Sequence, residues 1–391
     1  MKLLSPTSEF QRLRIATIIL CIALFSGMLI SWKLWLTNHL FPLTPVLPFL
    51  EKTPNTISIA LLIVIFALTI FTIINQRQKI IQALFFLLVI EVLIDQNRLQ
   101  PWFYQYTLMF FLLMFYGYKK PNEKSATNIL HVFRLVVCGI YFWSGMQKLN
   151  TDYFNDTAFW LMEPMGKYFG SAFAHKLGTA AGAIPYFEIC LAFGLLIPKT
   201  RKYFLIPGIL MHAYIILLMT PLGRNYNYVI IPWNGSMILF LLLLFNKSNR
   251  FNFSETFKSV KTIPQKIVFA LFWIMPSLSF FDKWDSYLSS SLYCGNSDNA
   301  YLYLKEEQKK SLPDELQKMC QFDSTNQTDY LYINNWSMLE MNVPAYPEKR
   351  IFTNAKKKID SYLKASEQNS LMLIEHKTIL TERKKNEMVE N

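Results

Sequence analysis

A lysine, a glutamate and a histidine set in apolar runs are the residues of this sequence that could do chemistry. Lys148 lies in Tyr141-Phe-Trp-Ser-Gly-Met-Gln-Lys-Leu-Asn150, Glu188 just inside the next apolar run, and His212 in the run after that. Ionisable side chains in hydrocarbon are costly, so each needs a partner, a proton or a watery cavity. An amine desolvated by apolar walls gives up its proton readily and can act as a base. If Lys148 and Glu188 approach each other, each supplies the other's counter-charge. Ser144 and Gly145 share a helix face with Lys148 and are small enough to admit a neighbouring helix or a ligand. Asn234, after Pro232 and Trp233, offers a further polar contact. Plainer readings stand beside these. Lys148 can snorkel to an interface beside Asp152, and Arg134 can do the same at the opposite end of its helix. His212 can be a neutral, hydrogen-bonded histidine in a packed bundle, and Asp95 a helix cap or a partner of Arg98.

The elements that must position these residues are membrane helices. Of 391 residues, 52% are hydrophobic and only 17% charged, where soluble domains carry nearer a quarter. Apolar runs recur at Leu13–Leu36, Ile57–Asn75, Ile80–Leu93, Trp102–Tyr118 and Asn128–Leu149, then at Ala183–Ile197, Tyr203–Thr220, Tyr228–Phe245 and Ile267–Phe281. They predict an all-α polytopic membrane bundle of about nine transmembrane helices, the shorter ones borrowing flanking residues or tilting. The first run is read as a membrane helix and not a cleaved signal, because Trp32, Lys33 and Trp35 stand where small residues are wanted. Trp102, Phe103, Tyr104 and Tyr106 fit an interfacial aromatic belt.

Orientation follows from the gaps. Arg12 and Arg14, then Arg77 and Lys79, Lys119, Lys120 and Lys124, Lys199, Arg201 and Lys202, and Lys258, Lys261 and Lys266 fall in alternate gaps, and the gaps between are poorer in cations. This places the N-terminus in the cytoplasm and the tail outside, as in a multi-pass plasma (inner) membrane protein. The same rule accounts for the formal charge of +12, so nucleic acid is not an expected partner; the lipid bilayer is.

Residues 1–283 thus read as the membrane domain, 284–380 as a small extracytoplasmic α+β domain and 381–391 as a flexible tail. Ala300–Leu304, Tyr330–Ile333 and Leu371–Ile374 resemble strands, Leu312–Cys320 and Lys349–Lys364 helices. With the tail in an oxidising compartment, Cys294 and Cys320 are candidates for a disulfide closing a loop of about 25 residues, worth ~3 kcal/mol. The sequence has no HxxxH or HExxH pair, no phosphate-binding glycine loop and no nucleophile elbow, which points away from an ordinary hydrolase or metalloenzyme.

The run Tyr141-Phe-Trp-Ser-Gly-Met-Gln-Lys-Leu-Asn-Thr-Asp152, the acidic span after it and the later membrane histidine resemble the HTTM (horizontally transferred transmembrane) family, related to the membrane domain of vitamin K-dependent gamma-carboxylases. The resemblance covers about the first 250 residues and implies fold before activity. It implies that Lys148 is a catalytic base toward a quinone or a reduced vitamin K-like quinol, with Glu188 and His212 in the same catalytic site. In the carboxylase the amine deprotonates the quinol, oxygen turns it into a strong base, and that base abstracts a glutamate proton before carbon dioxide adds. Leu93–Tyr106 is similar to the corresponding carboxylase helix junction, which places Asp95 and Trp102, with Ser144 and Asn234, around the cofactor. Trp102 departs from the pattern, standing where the carboxylase has a functionally implicated histidine. The large extracytoplasmic carboxylase domain is also replaced by a short tail. Gly145-x-x-Lys148, Glu188 and Leu195-x-x-Pro-Lys-Thr-Arg201 are in addition similar to the DoxX and MauE membrane proteins of quinone and thiol redox systems. Two functions remain in view: an enzyme or redox subunit handling a quinone-like lipid, and a non-catalytic membrane protein whose tail binds or matures an extracytoplasmic protein partner. A transporter would need the paired broken helices that the sequence does not display.

Overall fold

A computed structural model describes residues 6, 8–246, 251–364, 370–379, 382–383 and 386–389. Its long helices are α1 (Glu9–Ile30), α2 (Asn55–Ile74), α3 (Gln78–Ile94), α4 (Pro101–Leu113) and α5 (Glu123–Gln147). After them come α6 (Ser171–Ala181), α7 (Ile184–Leu196), α8 (Arg201–Met219), α9 (Ile230–Phe245) and α10 (Ile263–Phe281). Five of these, α1, α2, α5, α8 and α10, are long and apolar enough to cross a membrane, or six if the bent pair α6–α7 is one span. α3, α4 and α9 are apolar but shorter, with 17, 13 and 16 residues. α10 changes type along its length. Its α-helix ends at Phe269, a π turn covers Ala270–Ile274 and a 3-10 segment begins at Met275, where Pro276 removes an amide donor.

Burial sorts the helices. In α5, 83% of the most apolar stretch is inside the molecule, against 28% in α2 and 22% in α8. α5 is the central column, and α2, α8 and α10 form the outer wall. Ile63, Phe71 and Ile74 on α2, Tyr203, Ile206 and Leu210 on α8, and Ile263 and Ile274 on α10 are exposed on that wall. Exposed apolar side chains on helices of this length are compatible with a membrane-spanning bundle.

Two buried arginines tie the ends together. Arg98 donates to Leu34 and Leu36 carbonyls and pairs with Glu91 on α3. Arg134 does not snorkel: it is buried, donates to Leu244 O at 2.9 Å and lies over the Phe251 ring. At the start of the bundle, the Glu123 carboxylate accepts from the Glu9 and Phe10 amides and so ties α5 to α1. The expected aromatic belt is also corrected. Trp102, Phe103, Tyr104 and Tyr106 lie on α4, which is buried nearly all round, so they pack in the interior and not at an interface.

The C-terminal domain is an antiparallel sheet on two helices. Strands β1 (Asn299–Leu304), β2 (Gln321–Asp323), β3 (Thr328–Tyr332) and β4 (Leu371–Glu375) are followed by a small β5–β6 pair (Thr378–Ile379, Glu382–Arg383) and β7 (Glu387–Val389), in sheet order β2-β3-β1-β4-β7. Strand alternation sends Leu302, Leu331, Met372 and Ile374 inward, into the core that includes Trp336 of α11 (Ile333–Met341) and Ile351, Phe352 and Ile359 of α12 (Lys349–Asp360). Ile333, expected to end a strand, begins α11 instead. Within the stretch expected to be a flexible tail, Glu387–Val389 pairs with β4, Met372 opposite Val389. The domain is bolted to the bundle: Tyr346 N donates to Asn97 Oδ1 at 2.7 Å, Gln100 Nε2 to Pro344 O at 3.0 Å, and the Glu340 carboxylate accepts from the Leu40 and Phe41 amides.

The disulfide expectation is overturned. All five cysteines are free. Cys294 Sγ sits 2.8 Å from Ser291 Oγ, and Cys320 Sγ, just past the short helix Asp314–Met319, donates to Leu316 O.

Candidate functional site

Small residues bring the two charges together. A methyl group on Gly145 would lie 2.6 Å from Pro185 O and 2.8 Å from Ile189 Cγ1, so α5 and α7 touch backbone to backbone there. That contact holds Lys148, the C-cap of α5, beside Glu188, in the second turn of α7. Lys148 Nζ lies 2.8 Å from Glu188 Oε2, and both side chains are 7% exposed. The ammonium also donates to Ser144 Oγ at 2.6 Å and to Ser144 O at 3.3 Å. Three donors thus meet three acceptors, which is how a buried lysine is made tolerable. Glu188, and not Asp152, is the carboxylate that Lys148 pairs with; Asp152 accepts from the Thr378 hydroxyl.

A second polar cluster stands on the same cavity. His212 Nδ1 is 2.6 Å from Asn234 Oδ1, and Nε2 is 2.6 Å from the Tyr141 hydroxyl. Asn234 Nδ2 donates to Ile230 O at 2.8 Å, which fixes the amide's orientation. In the neutral ring, therefore, Nδ1 carries the proton and Nε2 accepts from Tyr141.

Both clusters line a cavity of ≈ 130 Å³ whose remaining wall includes Ile140, Leu161, Met211, Ile215 and Met237. Tyr141, Ser144 and Lys148 recur at helical spacing, so one face of α5 supplies its polar side. Leu292 and Tyr293, from the segment leading into the C-terminal domain, are shared with a second cavity.

The sequence-derived site residues divide. Lys148, Glu188, His212, Ser144 and Asn234 all line this cavity. Asp95 and Trp102 do not. Asp95 Oδ1 accepts from the Thr44 and Asn97 amides, so it caps a turn and does not pair with Arg98. Trp102 is 2% exposed and packs against Trp35, Phe103, Tyr106 and the surface of Gly27. Tyr141 was missed as a site residue. Its signal was its position two turns before Lys148 on one helix face. Tyr293 and Leu292 carried no such signal, because a long connection brings them in.

What the arrangement can do is limited and definite. A buried ammonium–carboxylate pair can donate, accept and exchange a proton, while the tyrosine–histidine–asparagine chain orients a second oxygen. The rest of the wall suits an apolar ring. No protein-family model, characterised protein or solved structure matches this chain.

Proposed function

We propose that this is a multi-pass membrane protein of the HTTM type, with a cytoplasmic N-terminus and an extracytoplasmic C-terminal domain, that binds a quinone-like lipid beside Lys148. The nine apolar helices α1–α5 and α7–α10 correspond to nine spans in this reading. The observation that carries it is the buried 2.8 Å ion pair in the wall of an otherwise apolar cavity. Structural ion pairs in membrane bundles are commonly packed away from space; here ammonium and carboxylate both border it.

A bound quinol would supply the redox chemistry. The protein's own part is to move a proton. Lys148 Nζ passes its proton to Glu188 Oε2 along the existing hydrogen bond, leaving a neutral amine held by Ser144. The amine then accepts a proton from a ligand hydroxyl, becoming ammonium again, and Glu188 holds the proton it received. Tyr141, backed by His212 and Asn234, donates to or accepts from the ligand's other oxygen.

A second reading is favoured by one observation: all three Lys148 N–H bonds are already made within the protein. In that reading the pair only joins α5 to α7, and function lies in a partner held by the C-terminal domain. Purification in native lipid, followed by extraction and mass spectrometry, separates the two. The quinone reading expects a quinone-class lipid to travel with the wild-type chain and to be lost when Ile215→Trp fills the cavity. A wild-type chain free of quinones, or equal retention by I215W, overturns it.

A further inference from the structure

The larger cavity, ≈ 710 Å³, lies where the helical bundle meets the C-terminal sheet. Neither Lys148 nor Glu188 lines it, and only Leu292 and Tyr293 are shared with the smaller cavity. Strand alternation assigns the inner face of β1 and β3 to the core; the outer face is expected to carry charged residues. It carries tyrosines instead. Tyr301 and Tyr332 stack at 4.8 Å and 13°, and the ladder continues through Tyr330 to Tyr303.

Tyr301 and Tyr332 line the cavity from the sheet side. From the bundle side Trp160 and Tyr293 line it, stacked on each other at 5.7 Å and 21°. These rings are held in place by polar neighbours. Asn227 Nδ2 donates to the Tyr293 hydroxyl at 2.7 Å, and the Tyr332 hydroxyl donates to Asn299 Oδ1 at 2.7 Å. Half-buried, oriented aromatic rings on two sides of a solvent-reached space form an aromatic-walled slot.

The charges around it narrow the ligand. Asp152 and Asp156 line the cavity together with Arg224 and His376, whose ring lies 3.1 Å from the Asp298 carboxylate. Arg224 pairs with Glu163 at 2.7 Å and lies over the face of Trp160, while its Nε makes no hydrogen bond among the described residues. An anionic ligand would meet two carboxylates against a single arginine already paired with Glu163, so nucleotides and acidic sugars fit poorly. The space is far larger than one ammonium group needs, which argues against a simple cation cage. A sugar ring fits on both counts. Its C–H face stacks on an aromatic ring, and its hydroxyls both donate and accept, matching Asn335, Asp156 and the tyrosine hydroxyls.

We propose that the junction cavity is a binding site for a neutral oligosaccharide, stacked between Trp160–Tyr293 and Tyr301–Tyr332. The test uses the full-length protein in nanodiscs, fluorescently labelled and applied to a glycan array, with titration of each hit. Neutral oligosaccharides should bind, and Trp160→Ala or Asn335→Ala should weaken the best hit about tenfold or more. Tyr303→Ala, on the same ladder but outside the cavity, should leave affinity unchanged. The proposal is overturned by no neutral glycan binding above background, by binding insensitive to both cavity substitutions, or by exclusive binding of cationic peptides.

Discussion

Gly145 on α5 faces the Pro185 carbonyl on α7 so closely that a methyl group there would stand 2.6 Å from the oxygen. The neighbour is backbone and cannot rotate away, so the two helices must separate. Gly145→Ala should therefore cost ~1–3 kcal/mol by overpacking. Gly235→Ala, in a helix with nothing within 4 Å of the new methyl, should be neutral or stabilising. Thermal unfolding of the two variants in one detergent checks the contrast.

Lys148→Met leaves the Glu188 carboxylate buried beside an apolar chain. Removing one partner of a buried pair costs roughly 3–5 kcal/mol, whereas removing both charges is often near neutral. The single variant should thus unfold earlier, and Lys148→Met with Glu188→Gln should regain most of the loss. Ligand retention should not return with it if the pair moves a proton. Recovery of both stability and ligand would assign the pair a purely structural role.

The tail thiols should remain unbridged. Burial pushes the Cys294 thiol up and Cys320 up to about 11, so neither is a ready thiolate. Mass mapping under non-reducing conditions should find both free, and a reductant should leave the melting temperature unchanged. A Cys294–Cys320 peptide pair would contradict the packing around Ser291.

Much of the fold was legible in the sequence, for identifiable reasons. Apolar runs of this length are long enough for helices and too long for ordinary strands, so the cores of α1–α5 and α7–α10 were visible although their ends were not. Leu36 and Tyr118 are apolar yet lie beyond the helices they were assigned to, because hydropathy does not report where a chain turns. Lys148, Glu188 and His212 stood out because each was an anomaly in its surroundings. Asp95 stood out equally and proved to be a cap, since burial cost says that a partner exists but not which one. Trp102 and its aromatic neighbours were misplaced for a related reason: an aromatic run looks the same at an interface and in an interior. The junction cavity was not legible, because it joins residues from Asp152 to His376 through tertiary contacts that no local period encodes.

Sidedness is open to direct measurement. In the proposed topology the cation-rich gaps, which alternate with poorer ones, face the cytoplasm and the C-terminal domain lies outside. A phosphatase fused to the C-terminus, active only after export, should be active, and a fluorescent protein that folds only in the cytoplasm should be dark. The same fusions placed after Lys120 should give the opposite pair of results. A dark phosphatase and a bright fluorescent protein at the C-terminus would invert the proposed topology and return the junction cavity to the cytoplasmic side.

Glu348, at the start of α12, gives the C-terminal domain a pH dependence of its own. Burial, reinforced by the Asp285 carboxylate, raises it from its ordinary 4.5 to about 7, against the opposing pull of Ser286 N–H, Arg350 and Lys377. Between these two values the folded chain keeps a proton that the unfolded chain has released. Stability therefore falls as pH rises through that window, and the full cost, on the order of 3 kcal/mol, is present above about pH 7. Glu348→Gln keeps the oxygen that accepts from Ser286 N at 2.9 Å and removes the charge. Denaturant unfolding of the domain signal from pH 4.5 to 8 should show the wild-type chain losing stability with rising pH. The variant should follow a flatter line and be the more stable of the two at pH 8. Parallel lines would mean that Glu348 is ionised throughout and that the domain's pH response arises elsewhere.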